Sequence, residues 1–171
     1  MKGITVFLVA SLIMYHSVNA QQDSAAFELR LKTAIAELTC TSPDQRDPVS
    51  VNAVLIKDSV SGRIAVIIKA LITPGWHLYA FVPSNLPYIT TECVEKLPAG
   101  LTQAGSWQKS PSNVSGTDPG VMIWEHEAVF VRRLKSDNQR AKGILQAGLA
   151  YQTCDLRQCL PPKEKWFDLK F

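Results

Sequence analysis

The chain has 171 residues with 18 Lys and Arg against 15 Asp and Glu, and 46% of it is hydrophobic. The charges are interspersed along the sequence, so no basic face calls for nucleic acid or for an anionic lipid surface. The longest apolar run is twelve residues, Ile4 to Tyr15, short of the roughly 20 that a membrane-crossing helix requires; stable membrane insertion is not expected.

The elements are taken in chain order. Lys2, the apolar run and the small-residue ending Val18-Asn19-Ala20 have the layout of a secretory signal peptide, so residues 1–20 read as a leader and Gln21 as the mature N-terminus. The remaining 151 residues suit one domain with its own core. Phe27, Leu31, Ile35 and Leu38 recur at spacings of three and four with Ser24 placed to cap, which predicts a short amphipathic helix. Residues 21–48 therefore form an N-terminal segment whose last part, Thr41 to Pro48, reads as a linker or loop with two prolines and two aspartates.

From Val49 to Phe171 the pattern changes to short runs of Val, Ile, Leu and aromatics broken by turn residues about every ten positions, an all-β signature. The predicted strands are Val49 to Lys57, Arg63 to Thr73, Trp76 to Phe81, Tyr88 to Lys96, Leu101 to Trp107, Val121 to Leu134, Ala141 to Thr153 and Lys165 to Phe171. Val121 to Leu134 reads as one long strand that changes faces midway, with its first half exposed. About eight short antiparallel strands in one small domain favour a β-sandwich over a barrel.

Four cysteines follow the leader, at 40, 93, 154 and 159, and an exported chain can oxidise them. Cys154 and Cys159 are separated by four residues and followed by Pro161-Pro162; flanking a hairpin, their Cα atoms can reach the roughly 4.4 to 6.8 Å that a disulfide needs. Such a bridge is either a structural staple or a redox pair. A loop this short takes little entropy from the unfolded chain, about 2 kcal/mol, and short exposed bridges are the more reducible ones, which sharpens the redox reading. Cys40 and Cys93 could join the N-terminal segment to the sandwich or stay reduced.

Zinc is a weaker assignment. Cys154 and Cys159 resemble one ligand knuckle, with His77, His126, Cys40 and Cys93 in reserve, but no second paired motif accompanies them. No metal and no cofactor are expected. Hydrolase and nucleotide-binding signatures are absent.

Pro74-Gly75-Trp76-His77-Leu78-Tyr79, Leu97-Pro98-Ala99-Gly100, the tract Trp124 to Leu134 and above all Tyr151-Gln152-Thr153-Cys154 with Cys159-Leu160-Pro161-Pro162 resemble the N-terminal periplasmic domain of the DsbD thiol:disulfide interchange protein and its standalone relatives. The resemblance covers most of the chain after the leader. It implies an immunoglobulin-like sandwich over residues 49–171, in the periplasm, whose cysteines take electrons from a thioredoxin-like or DsbD-type reductase and pass them to oxidised exported proteins. By the same resemblance Cys159 forms the mixed disulfide, Cys154 resolves it, and a cap loop lies near Asp118 to Trp124.

The resemblance also sets the strand of His77 and Tyr79 beside the cysteines. His77 is then a proton donor or acceptor in exchange, or an ordinary hydrogen-bonded histidine; Trp124 is a cover over the thiols, or a half-buried strand aromatic. Arg157 would favour a thiolate nearby and Asp155 would oppose one, so the pattern does not decide which cysteine is activated; Arg157 is otherwise a solvated loop cation. The chain departs from the best-known member in having four residues rather than five between the cysteines, and Leu160 where that member has an aromatic. It also lacks that protein's membrane and thioredoxin-like domains, so it is expected to act as an interchange component with separate partners. The rival is an exported immunoglobulin-like binding module whose disulfide is purely structural.

Overall fold

The computed structural model describes residues 23–58, 62–136 and 142–170. The leader at 1–20, Gln21, and the turn positions Ser61, Asp137 and Asn138 lie outside the described residues. Helix α1 spans 23–37. It already includes Asp23, so Ser24 sits inside its first turn rather than ahead of it.

The strands in order are β1 (Val49–Lys57), β2 (Ile64–Ile72), β3 (His77–Phe81), β4 (Glu92–Lys96), β5 (Leu101–Gln103) and β6 (Gln108–Lys109). They continue with β7 (Asn113–Val114), β8 (Met122–Trp124), β9 (Glu127–Ser136), β10 (Ile144–Tyr151), β11 (Thr153–Cys154) and β12 (Lys163–Lys170). Every pairing among them is antiparallel. One sheet runs β1-β2-β9-β5 with β6 added to β9, a second runs β12-β10-β4, and a third runs β11-β3-β8-β7. The first two face each other across one core, in which Ile64, Val66, Ile68 and Phe130 meet Leu145, Ala147 and Leu149. The molecule is an antiparallel, immunoglobulin-like β-sandwich with a short N-terminal helix.

Strand β2 is apolar at both parities because both its faces are covered. Its even-numbered residues enter the sandwich core, while Ala65 and Ile67 face outward beneath Phe27 and Leu31 of α1. Phe27 and Leu31 are 2% and 4% exposed, a burial that contributes about 1.5–3 kcal/mol for each side chain. Arg133 of β9 clamps the helix through both carboxylate oxygens of Glu28 at 2.8 Å. The 41–48 loop is also laced to the sandwich. Trp76 Nε1 donates to Gln45 at 2.9 Å, and Asp47 accepts from Lys163 and Lys165 of β12 at 3.0 and 2.6 Å.

The tract 121–134 is not one strand. It breaks at His126 into β8, which pairs with β3 in the third sheet, and β9, which pairs with β2 in the first. The break is a γ-turn: Glu127 N donates to Glu125 O at 2.7 Å around His126 at φ 65°, the rarer positive-φ form of that turn. The His126 carbonyl then accepts from Ile72 N at 2.7 Å. The expectation of an exposed first half is overturned, since Val121, Ile123 and Trp124 are buried. Strand β8 is flanked on both sides, by β3 and by the two-residue β7, and so is an inner strand.

A β-branched residue is poorly suited to that turn. His126→Val is expected to cost about 1–2 kcal/mol, while His126→Gly stays within about 1 kcal/mol of the parent because glycine loses its Cβ clash but gains unfolded-state entropy. Urea midpoints test this, and a valine tolerated as well as glycine would contradict the strain.

Candidate functional site

The last β-hairpin carries the cysteines. Cys154 and Cys159 form a disulfide, and their Cα atoms are 4.0 Å apart, slightly nearer than the range expected from the sequence. The register explains the closeness. Leu160 N donates to Thr153 O and Asp155 N donates to Gln158 O, both at 2.9 Å, so Cys154 and Cys159 are an antiparallel bridge pair of the non-hydrogen-bonded kind, in which Cα atoms approach to about 4.5 Å. The closing turn is held by Asp155, whose Oδ1 accepts from the amides of Arg157 at 2.7 Å and Gln158 at 2.8 Å. These two bonds, that of Arg157 first, hold the Asp155 carboxyl below its ordinary value. The hairpin thus has four hydrogen bonds of its own in addition to the sulfur bridge.

The two cysteines have unequal surroundings. Cys154 is 1% exposed and packs with Tyr79, Val121 and Ile123. Cys159 is exposed. Strand β11 pairs with β3, setting Cys154 opposite His77, and Thr153 Oγ1 donates to the His77 carbonyl at 2.9 Å. Alternation along β3 then puts Trp76 and Leu78 in the sandwich core and turns His77 and Tyr79 toward the cysteines.

Three rings line up from the cysteines outward. His77 meets Tyr79 edge to face at 4.9 Å, Tyr79 stacks on Tyr88 at 4.8 Å, and the Tyr88 hydroxyl donates to Asp118 Oδ1 at 3.4 Å. Asp118 is fixed in the 115–118 turn, where its amide donates to Ser115 Oγ at 3.2 Å and its Oδ2 accepts from Thr117 Oγ1 at 2.9 Å. Together these groups and the hairpin border an open cleft of about 380 Å³. Burial pushes the Tyr79 hydroxyl well above the usual tyrosine range, with Tyr88 and Asp118 adding to it.

The structure therefore brings together Cys154, Cys159, His77, Tyr79 and Asp118. It does not bring in Trp124. That side chain lies in the sandwich core, its ring edge-on to Phe130 at 5.1 Å and its Nε1 donating to Ser110 O at 3.0 Å; it is a strand aromatic, but at 3% exposure buried rather than half-buried. Tyr88 is the residue the sequence did not single out. The strand expected over Tyr88 to Lys96 begins only at Glu92, and the stretch before it crosses the site with Thr91 N donating to Tyr79 O at 2.8 Å and Ile89 N donating to Gln152 at 3.1 Å. An aromatic just after Pro87 was its only mark in the sequence.

Cys40 and Cys93 are free thiols. Cys40 Sγ donates to Lys69 O at 3.4 Å, and burial raises its pKa. Cys93 sits on β4 opposite Leu149, and burial pushes it to about 12. Neither is poised as a thiolate.

Burial holds the His77 pKa below its ordinary 6.5, against the opposing pull of Glu125, Asp118 and Asp155. The unfolded chain then takes up the proton first as pH falls. The His77 contribution to stability is complete above pH 6.5 and is lost progressively below it. His77→Gln is expected to flatten that part of the stability profile; equal slopes in parent and variant between pH 7.5 and 5 would contradict the assignment.

No protein-family model matches the chain, and no curated protein matches it in sequence. Solved structures similar in layout include the N-terminal periplasmic domain of ScsB from Proteus mirabilis, with TM-score 0.47 and 21% identity over 78% of this chain and 49% of that one. The yeast GGA1 GAE domain matches with TM-score 0.42 and 10% identity, covering 75% and 96% of the two chains. The GAE domain of GGA2p from Saccharomyces cerevisiae matches with TM-score 0.42 and 6% identity, covering 77% and 94%. The chain spans about half the length of the ScsB structure. Among the described residues no helix is long and apolar enough to cross a membrane.

Proposed function

We propose that this protein is an exported, periplasmic thiol:disulfide interchange domain that works through Cys154 and Cys159. The observation that carries the reading is the asymmetry of the pair: one cysteine buried and one exposed, on a hairpin that has hydrogen bonds of its own. In the reduced protein the Cys159 thiolate attacks a sulfur of a partner's disulfide. That S–S bond breaks, a mixed disulfide forms, and the departing partner sulfur takes a proton. Cys154, losing its proton, then attacks the Cys159 sulfur and releases the second partner thiol. The partner gains two electrons and two protons, and the pair closes to the disulfide seen here. A thioredoxin-like or DsbD-type reductase restores the dithiol by the same exchange in reverse. His77 and Asp118 border the same cleft as the pair, which supports a role for them in moving its protons, and Tyr79 with Tyr88 would limit the approach to Cys154.

The test is the reduction potential of the pair in a variant with Cys40 and Cys93 replaced, paired with thermal melting in each redox state. A potential of about −120 to −270 mV is expected, with little change in melting temperature, because the closed loop is short. A potential below about −300 mV, or loss of the folded state on reduction, would make the bridge a structural staple and the protein a binding module.

A further inference from the structure

We infer that the outer backbone edge at Cys159 is a docking strand, one residue long, for an extended polypeptide segment that carries the disulfide to be reduced. The inference rests on the interchange reading and names the form of its substrate. The register of the hairpin carries it. In a non-hydrogen-bonded antiparallel pair each residue turns its amide and carbonyl away from its partner. Cys154 turns its pair toward β3; Cys159 turns its pair outward, where no described group bonds them.

The neighbouring positions offer nothing comparable. Gln158 N is bonded to Asp155 Oδ1 and Gln158 O accepts from Asp155 N. Leu160 N donates to Thr153 O, and Pro161 and Pro162 have no amide hydrogen. An incoming strand can therefore exchange a pair of main-chain hydrogen bonds at Cys159 alone, which fixes its register. Residues opposed in such a pair stand about 5.5 Å apart at Cα, inside the range a disulfide spans. A cysteine held there is placed for the mixed disulfide with the exposed Cys159. A cysteine within a helix has its amide already bonded and fits less well. Leu156, 83% exposed at the hairpin tip, gives a flanking apolar side chain a surface to cover. The two prolines limit the edge to this single pairing, which also disfavours strand addition by a second copy.

The experiment uses the reduced protein with Cys40 and Cys93 replaced, and synthetic peptides whose one cysteine is disulfide-bonded to 2-mercaptoethanol. Three peptides are compared: unmodified, N-methylated at the cysteine, and N-methylated at the adjacent residue, whose amide would point away from the edge. Rates are divided by those of glutathione with the same peptides to remove intrinsic reactivity. Methylation at the cysteine is expected to slow attack about fivefold to tenfold, the size of one lost backbone hydrogen bond, and methylation at the neighbour to leave it unchanged. In the Cys154→Ala mixed disulfide, the Cys159 amide is expected to exchange its hydrogen more slowly with the unmodified peptide than with the one methylated at cysteine. Equal normalised rates for all three peptides would overturn the docking strand while leaving interchange intact. Slowing of Cys159 amide exchange with protein concentration alone would assign the edge to a second copy and overturn it too. No reaction with any peptide would remove interchange and the docking strand together.

Discussion

Expressed in the periplasm of a Gram-negative host, Cys154→Ala is expected to accumulate reductant-sensitive, higher-mass mixed disulfides, and Cys159→Ala to stay at background. The attacking thiol must reach a partner's sulfur, and only Cys159 is exposed. The thiol that releases the partner needs to reach only its neighbour, and Cys154, enclosed by Tyr79, Val121 and Ile123, can do that across the hairpin. Without the resolving thiol the first step has no sequel and the covalent intermediate persists. Gels of alkylated extracts, run with and without reductant, read the result. Equal trapping by both variants would refute the assigned order, and trapping by neither, with a competent partner pool, would count against interchange itself.

The largest effect on stability is expected at Glu95. Its carboxylate on β4 binds Arg132 of β9 through Nε at 3.1 Å and Nη2 at 2.8 Å, joining the two facing sheets, and both side chains are only 9% exposed. Arg132 also donates through Nη1 to Gly105 O and lies 5.4 Å from the Trp107 ring. Glu95→Ala strands a guanidinium with little water, and a loss of about 3–5 kcal/mol in urea unfolding is expected. Replacing both partners, Glu95→Leu with Arg132→Met, is expected to recover most of it, because no charge then remains to be desolvated. A loss under about 1 kcal/mol for Glu95→Ala would mean that water reaches the pair.

Strand β1 begins and ends where the sequence puts it, and β2 and β3 within a residue or so, because their apolar runs are bounded by turn residues. The break at His126 was not legible. A positive φ is usually announced by glycine, and here a histidine between two glutamates supplies it. The two-residue strands Gln108–Lys109 and Asn113–Val114 have no hydrophobic signal to read, and the burial of β8 comes from residues outside the strand, Tyr79 and Cys154 on one face and Phe130 on the other. At the site, the spacing of the cysteines was enough to pair Cys154 with Cys159 and alternation to set His77 and Tyr79 on one face, but only the family resemblance placed that face beside the cysteines. Tyr88 enters through a ring stack with a residue nine positions away and a hydrogen bond to Asp118 thirty positions on, and which cysteine is buried depends on packing from β8. Neither leaves a trace in local pattern.

The helix that covers β2 also decides where the chain can be cut. A division at Val49, natural from the change in pattern there, would leave Ala65, Ile67 and Val131 without Phe27 and Leu31 above them, beside the half-buried Val54 and Ile56 of β1. Such a fragment keeps every strand and the disulfide. Its outer sheet, however, becomes a continuous apolar surface of the kind that drives aggregation, so residues 49–170 alone are expected to precipitate at concentrations where the chain that retains α1 stays dispersed.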